Sequence, residues 1–205
     1  MKFDQLANSE SVTKVVQGLK ERNVEAFVVK NRAEALLKIQ ELVPKGVSVM
    51  NGASRTLEEL GYVELLKSGT HPWNNLHEAI VAEKDPVAQS NLRRQALLSD
   101  FYLGSVHALA ETGEFVIASN TGSQLPHIVY SSPNLVFVVS TQKIVPTLDD
   151  AMRRLKEHVF PLEDARMKEI GYGGSQISKV LVFEKENPFM KRNVKMILVE
   201  EKLGF

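Results

Sequence analysis

Apolar residues recur at helical spacing in Val12, Val15, Val16 and Leu19, and the pattern then changes to a short apolar run, Ala26-Phe27-Val28-Val29. A helix followed by a strand is predicted. Asn31 with Glu34 three residues on is a capping pattern for a second helix, with Ala33, Leu36, Ile39 or Gln40, and Val43 along one side and Pro44 and Gly46 at its end. Val47-Ser48-Val49-Met50 reads as the next strand, so the unit is strand–helix–strand and its two strands are expected to lie parallel in one sheet. A turn at Asn51-Gly52-Ala53-Ser54 opens a further helix through Thr56 and Glu59.

Residues 68–86 lose the periodicity, and together with a helical run from Val87 to about Leu98 they read as an irregular helical excursion over the surface, spanning about 68–100. Two apolar runs, 105–110 and 114–119, flank a Thr112-Gly113 pair and predict a hairpin. Residues 135–139 form an unbroken apolar run, the pattern of a strand buried on both faces. Thr147 and Asp150 begin a helix that carries Leu148, Met152, Leu155 and Val159, Pro161 starts another, and 179–184 and 195–200 are two last strands. The expected fold class is α/β, a mostly parallel sheet flanked by helices, in one domain covering 1–205.

Composition narrows the function classes. With 25 Lys and Arg against 25 Asp and Glu in 205 residues, no global field draws the chain to nucleic acid or to an anionic membrane. Cysteine is absent, which excludes disulfides, thiol catalysis and thiolate-held metal in this chain. The opening residues MKFDQLANSE lack the apolar run of a signal peptide, and no window is apolar enough to span a membrane, so a cytoplasmic protein is expected. Of the five histidines, His71, His77, His107, His127 and His158, no two have the i,i+4 spacing of a helical metal site, and no metal centre is expected. Walker, G-x-G-x-x-G and G-x-S-x-G patterns are all missing.

Three polar loops follow predicted strands, where open α/β sheets bind ligands. They are Asn51-Gly52-Ala53-Ser54, Asn120-Thr121-Gly122-Ser123 and Ser140-Thr141-Gln142-Lys143. Hydroxyls, amides, glycines and one ammonium suit an anion. Short polar residues equally make turns and helix caps, so both readings stand at this point. Glu111, facing Glu114 across the hairpin turn, is a candidate nucleophile or base, although a solvated turn explains it as well. His127, just past the second loop, is the candidate histidine, while His107 reads as a core residue and Trp73 as an anchor for its segment or a contact for a partner. Asp149 and Asp150 stand four residues before Arg153 and Arg154, which makes that basic pair an ion-paired helix face.

The segments NGASRTLEELG at 51–61, SDFYLGSVHALAETGEFVIASNTGSQLPHIVYSSPNLVFVVSTQKIV at 99–145 and VLVFEKENPFMKRNVKMILVEEKLGF at 180–205 resemble the LUD (lactate-utilisation) domain family. Its most specific parts here are the SD…A-x-A-E-T-G segment, the small-residue loop after it, and the apolar strand closed by Lys143-Ile144-Val145. The resemblance implies a fold related to the ribose-phosphate isomerase and coenzyme A transferase superfamily, and a short, cluster-free type of member. It also implies a lactate oxidation system whose iron–sulfur centre sits in a partner protein, with no cofactor in this chain. The leading functional expectation is an accessory subunit in oxidation of lactate or a similar 2-hydroxy acid, with Asn51, Gly52, Ser54, Asn120, Thr121, Gly122, Ser123, His127 and Lys143 around a small anionic metabolite. The alternatives are a stand-alone enzyme on a phosphorylated or coenzyme A-linked metabolite with Glu111 as nucleophile or base, and a non-catalytic sensor or assembly module.

Overall fold

In the computed structural model, which describes residues 2–205, the first half alternates helix and strand as its periodicity requires. Helix α1 (Ser9–Glu21) leads to β1 (Glu25–Val29), α2 (Arg32–Leu42) and β2 (Ser48–Asn51). The Asn8 and Asn31 side chains cap these helices, accepting the Ser11 and Glu34 amides at 2.9 and 3.0 Å. Next come α3 (Arg55–Glu59), α4 (Tyr62–Ser68), β3 (Asn74–Asn75), α5 (Leu76–Ala82) and α6 (Pro86–Gln95). Five strands follow: β4 (Phe101–Gly104), β5 (Ala108–Ala110), β6 (Phe115–Ser119), β7 (Asn134–Ser140) and β8 (Ile144–Val145). Helix α7 (Leu148–Arg154), capped by Thr147, runs through a π turn at Leu155–Val159 into α8 (Phe160–Glu169), and β9 (Lys179–Phe183) and β10 (Asn193–Val199) complete the chain's elements.

Two sheets result. The larger has six parallel strands in the order β1-β10-β7-β4-β2-β3, and the smaller has the order β8-β5-β6-β9. Strand β7 is paired on both sides, by β10 and by β4, and its side chains divide by alternation. Leu135, Phe137 and Val139 face one apolar cluster with α1 and the β5–β6 hairpin, while Val136 and Val138 face another with α2, α3 and α4. Strands covered on both faces have to be apolar throughout, which is why this run was legible. The hairpin repeats the logic one layer out: Leu109, Phe115 and Ile117 join the first cluster, and Ala108 and Val116 meet Ala151 of α7 with Leu155 and Val159 of the π turn after it on the other side. Gly18 makes the layer fit, because a Cβ there would stand 2.6 Å from the Thr112 carbonyl carbon and force α1 off the hairpin turn.

Three readings need correction, and the placement of the last strands is new. The inward residue of α2 is Ala35, with Ile39, whereas Ala33 is exposed. Phe101–Gly104, overlooked as a strand, pairs with both β2 and β7; four residues ending in glycine carry too little period to show in a sequence. The two last strands lie in different sheets, β9 beside β6 and β10 between β1 and β7. The 68–86 segment is no mere surface excursion, for it supplies the edge strand β3 and buries Trp73 and Ile80. Trp73 is only 6% exposed, packs on Tyr62 with ring centroids 6.0 Å apart, and donates its indole N–H to the Val43 carbonyl at 3.1 Å. It anchors its segment in the core, as one of its two readings had it, and is no exposed contact for a partner.

Trp73→Ala is therefore expected to lower the unfolding free energy by about 3–5 kcal/mol, the usual range for emptying a large aromatic site. Urea denaturation checks it, and a loss within about 0.5 kcal/mol, as for a surface substitution, would place Trp73 outside the core.

Candidate functional site

Strands β4 and β7 lie side by side in the large sheet, and the chains leaving them enter β5 and β8, which lie side by side in the small one. The two crossings, 105–107 and 141–143, open a cleft of about 350 Å³ between the sheets. Gly52, Ala53 and Ser54 border it from the β2 exit, Asn120, Thr121 and Ser123 from the β6 exit, and Lys143 from the β7 exit. The three loops read as ligand candidates do converge on one space. Leu155, Val159, Phe160, Glu163, Arg166 and Met167 line it from the α7–α8 side.

Lys143 is the unusual group. Its side chain is 4% exposed overall, and its Nζ donates to Thr56 Oγ1 at 2.8 Å, Val106 O at 3.1 Å and Ser105 Oγ at 3.2 Å. All three partners are neutral. Among the described residues no side-chain carboxylate lies within ion-pair distance of it; Glu59, which favours its charge from farther off, is held by Arg55 and by the Gly204 amide. Burial pushes the ammonium down to about 7, and the nearby Arg154 guanidinium adds to the shift.

Arg154 was misassigned by its spacing. Arg153 does lie on an ion-paired face, but with Asp150 three residues back and Glu157 four residues on instead of Asp149, and Arg154 is fully buried and donates to the main-chain oxygens of His107, Phe205 and Phe3, the last at 3.2 Å. Among the described residues its Nε has no hydrogen-bond partner and no side-chain carboxylate pairs with it. The signal was available: Arg154 falls three residues after Ala151 and directly before Leu155, both on the inward stripe of this helix. Two buried cations thus lie near one cleft without side-chain counter-charges, and burial of that kind is costly unless an anion completes it.

The histidines exchange roles. His127, the sequence candidate, does not line the cleft: its Nδ1 lies 3.0 Å from Ser132 Oγ, its ring stacks on Tyr102 at 4.7 Å, and burial pushes it down to about 4. It braces Tyr102, whose hydroxyl donates to Gln124 Oε1 at the cleft wall at 3.2 Å. His107 lines the cleft instead. Its Nδ1 accepts the Ala118 amide at 3.1 Å, and burial, with Lys143 and Arg154, pushes it down to about 3. The ring is neutral, so the proton sits on Nε2, a donor.

Other candidates fall elsewhere. Asn51 is buried and donates to the Gly52 carbonyl at 3.2 Å, outside the lining. Gly122, at φ 87°, serves its turn, and a Cβ there would meet Lys179 Cδ at 2.7 Å. Glu111 lies at the far end of the hairpin, accepting from Ser11 Oγ at 2.6 Å beside Lys14 Nζ at 3.4 Å, and Glu114 pairs separately with Arg22. The two glutamates have separate cationic partners, and neither borders the cleft. Among the described residues no group of three or more His, Asp or Glu is arranged to hold a metal ion, and no helix is long and apolar enough to cross a membrane.

A family model described as LUD domain matches residues 12–199. A crystal structure of a DUF162 family protein from Deinococcus radiodurans superposes with a TM-score of 0.55, covering 95% of this chain and 98% of that one at 11% identity, a likeness of fold. No curated protein matches the chain.

The buried ammonium gives stability a pH signature. Unfolded, Lys143 titrates near 10.5 and folded near 7, so between those values the unfolded chain holds a proton that the folded chain has released, and stability rises with pH across that window. Lys143→Met lacks this contribution. Relative to wild type its unfolding free energy is expected to be most favourable at about pH 7 and below, and the difference to shrink towards about pH 10. A difference that stays constant across that window would mean that the lysine is not desolvated.

Proposed function

The chain belongs to the LUD domain family, and we propose that it holds a small carboxylate or phosphate anion at Lys143, as an accessory subunit of an iron–sulfur-dependent system that oxidises lactate or a similar 2-hydroxy acid. One observation carries the reading: Lys143 is buried at the cleft with only neutral hydrogen-bond partners. An anion there would supply the missing counter-charge, while the Thr56 and Ser105 hydroxyls and the His107 Nε2–H add neutral donors.

The accessory role rests on chemistry. Oxidation of a hydroxy acid to the keto acid releases two electrons and two protons, and ordinary side chains do not accept the electrons. The cysteine-free sequence gives an iron–sulfur cluster no thiolate to bind, so the redox centre is assigned to a partner. Within the cleft the groups near Lys143 are donors more than bases: Nδ1 of His107 is already occupied, and Glu163 is paired with Arg166 at 2.8 Å. Positioning of a substrate or product anion fits this set better than covalent catalysis, and Glu111 is poorly placed for the nucleophile that a stand-alone enzyme would need.

Isothermal titration with phosphate, lactate and pyruvate tests the anion site. Wild type is expected to bind, Lys143→Met to lose at least about tenfold in affinity, as for one charge-assisted contact. Because the charged form binds, affinity should fall as pH rises above about 7. Equal binding by the two proteins would remove Lys143 from the site. The partner is tested separately. Affinity purification from the native cell should recover an iron–sulfur protein, and loss of the gene should slow growth on lactate but not on sugar; normal growth with no such partner would contradict the accessory role.

A further inference from the structure

We propose that the cleft takes a 2-hydroxy or 2-oxo acid with an aliphatic chain several carbons longer than lactate, its carboxylate at Lys143 and its chain along the α7–α8 wall. This rests on the anion reading of the cleft and names the class of anion.

Two observations carry it. The first is the division of the lining. Around Lys143 the hydrogen-bonding groups are Thr56, Ser105 and His107, and the α7–α8 side adds an apolar stretch, Leu155, Val159, Phe160 and Met167 with Ile177 and Phe205, interrupted by Glu163, Arg166, Ser175 and Gln176. A sugar phosphate laid along the apolar stretch would leave the hydroxyls that meet it unpaired; a hydrocarbon chain loses nothing there and leaves water.

The second is how the wall is made. Pro161 has no amide proton, and in a regular α-helix its ring would press on the carbonyl four residues back. The helix passes this point in a π turn at Leu155–Val159. That wider turn brings Leu155, Val159 and the adjacent Phe160 all to the cleft, a distortion often found where a helix serves a site. The other polar pair on this side, Glu163 and Arg166, is bonded to itself and offers no net charge to a second anionic group. Size agrees: about 350 Å³ holds at least about a dozen waters at liquid density, and a three-carbon acid displaces roughly half of them.

The test is calorimetric titration of the full chain with phosphate, lactate, 2-hydroxybutyrate, 2-hydroxyhexanoate and 2-hydroxyoctanoate. Affinity is expected to climb by about fourfold for each added methylene, the factor equal to about 0.8 kcal/mol, until the wall is covered. The heat-capacity change should become more negative along the series. Met167→Ser, at a half-buried position, should flatten the climb while phosphate, which has no chain, still binds. Binding of phosphate and lactate with no gain along the series overturns the chain-length inference and leaves the anion site standing. Failure of every anion to bind overturns the anion site, and the inference with it.

Discussion

Two neighbouring strands of one sheet continue into two neighbouring strands of another, and the structure depends on that joint. Strands β4 and β7 are hydrogen-bonded in the large sheet, β5 and β8 in the small one, and only a few residues separate each from its continuation. The two crossings cannot move independently. Lys143, at the end of one, donates to Ser105 and Val106 in the other, so the side chain that ties the crossings is also the charge beneath the cleft.

A charge fixed in this way cannot retreat to water. An ordinary lysine lifts its ammonium to solvent along a flexible stem; here the stem is packed and its neighbours are hydroxyls and a carbonyl. Arg154 has a similar structural duty, since its guanidinium gathers main-chain oxygens from Phe3, His107 and Phe205. A protein selected for stability alone would gain by replacing such groups with apolar ones of similar volume. Their presence beside a cleft is the physical basis for proposing an anion there.

What the sequence disclosed was what local pattern controls. The doubly apolar β7, the caps at Asn31 and Thr147 and the hairpin turned at Gly113 each sit within a few residues, and each was readable. So was the convergence of three polar loops, because strand ends in a parallel sheet share one edge. What stayed hidden was set by distant neighbours. Strand β4 exists because β2 and β7 flank it, and the edge strand β3 beside the Trp73 anchor exists because β2 receives it. Spacing alone does not say which arginine of a pair faces water: Arg153 is exposed and pairs with Asp150 and Glu157, while α7 turns Arg154 inward under the small sheet. Chain proximity likewise favoured His127, whereas Ala118 across the hairpin fixes His107 at the cleft.

The central claim is that Lys143 is a desolvated ammonium waiting for an anion. Heteronuclear NMR of lysine-labelled protein, with the Lys143 side-chain signal assigned by its loss in Lys143→Met, measures its titration directly. The account predicts a midpoint near 7 in the free protein, moving upward when phosphate or lactate is added. A midpoint close to the ordinary 10.5, unmoved by either anion, would contradict it.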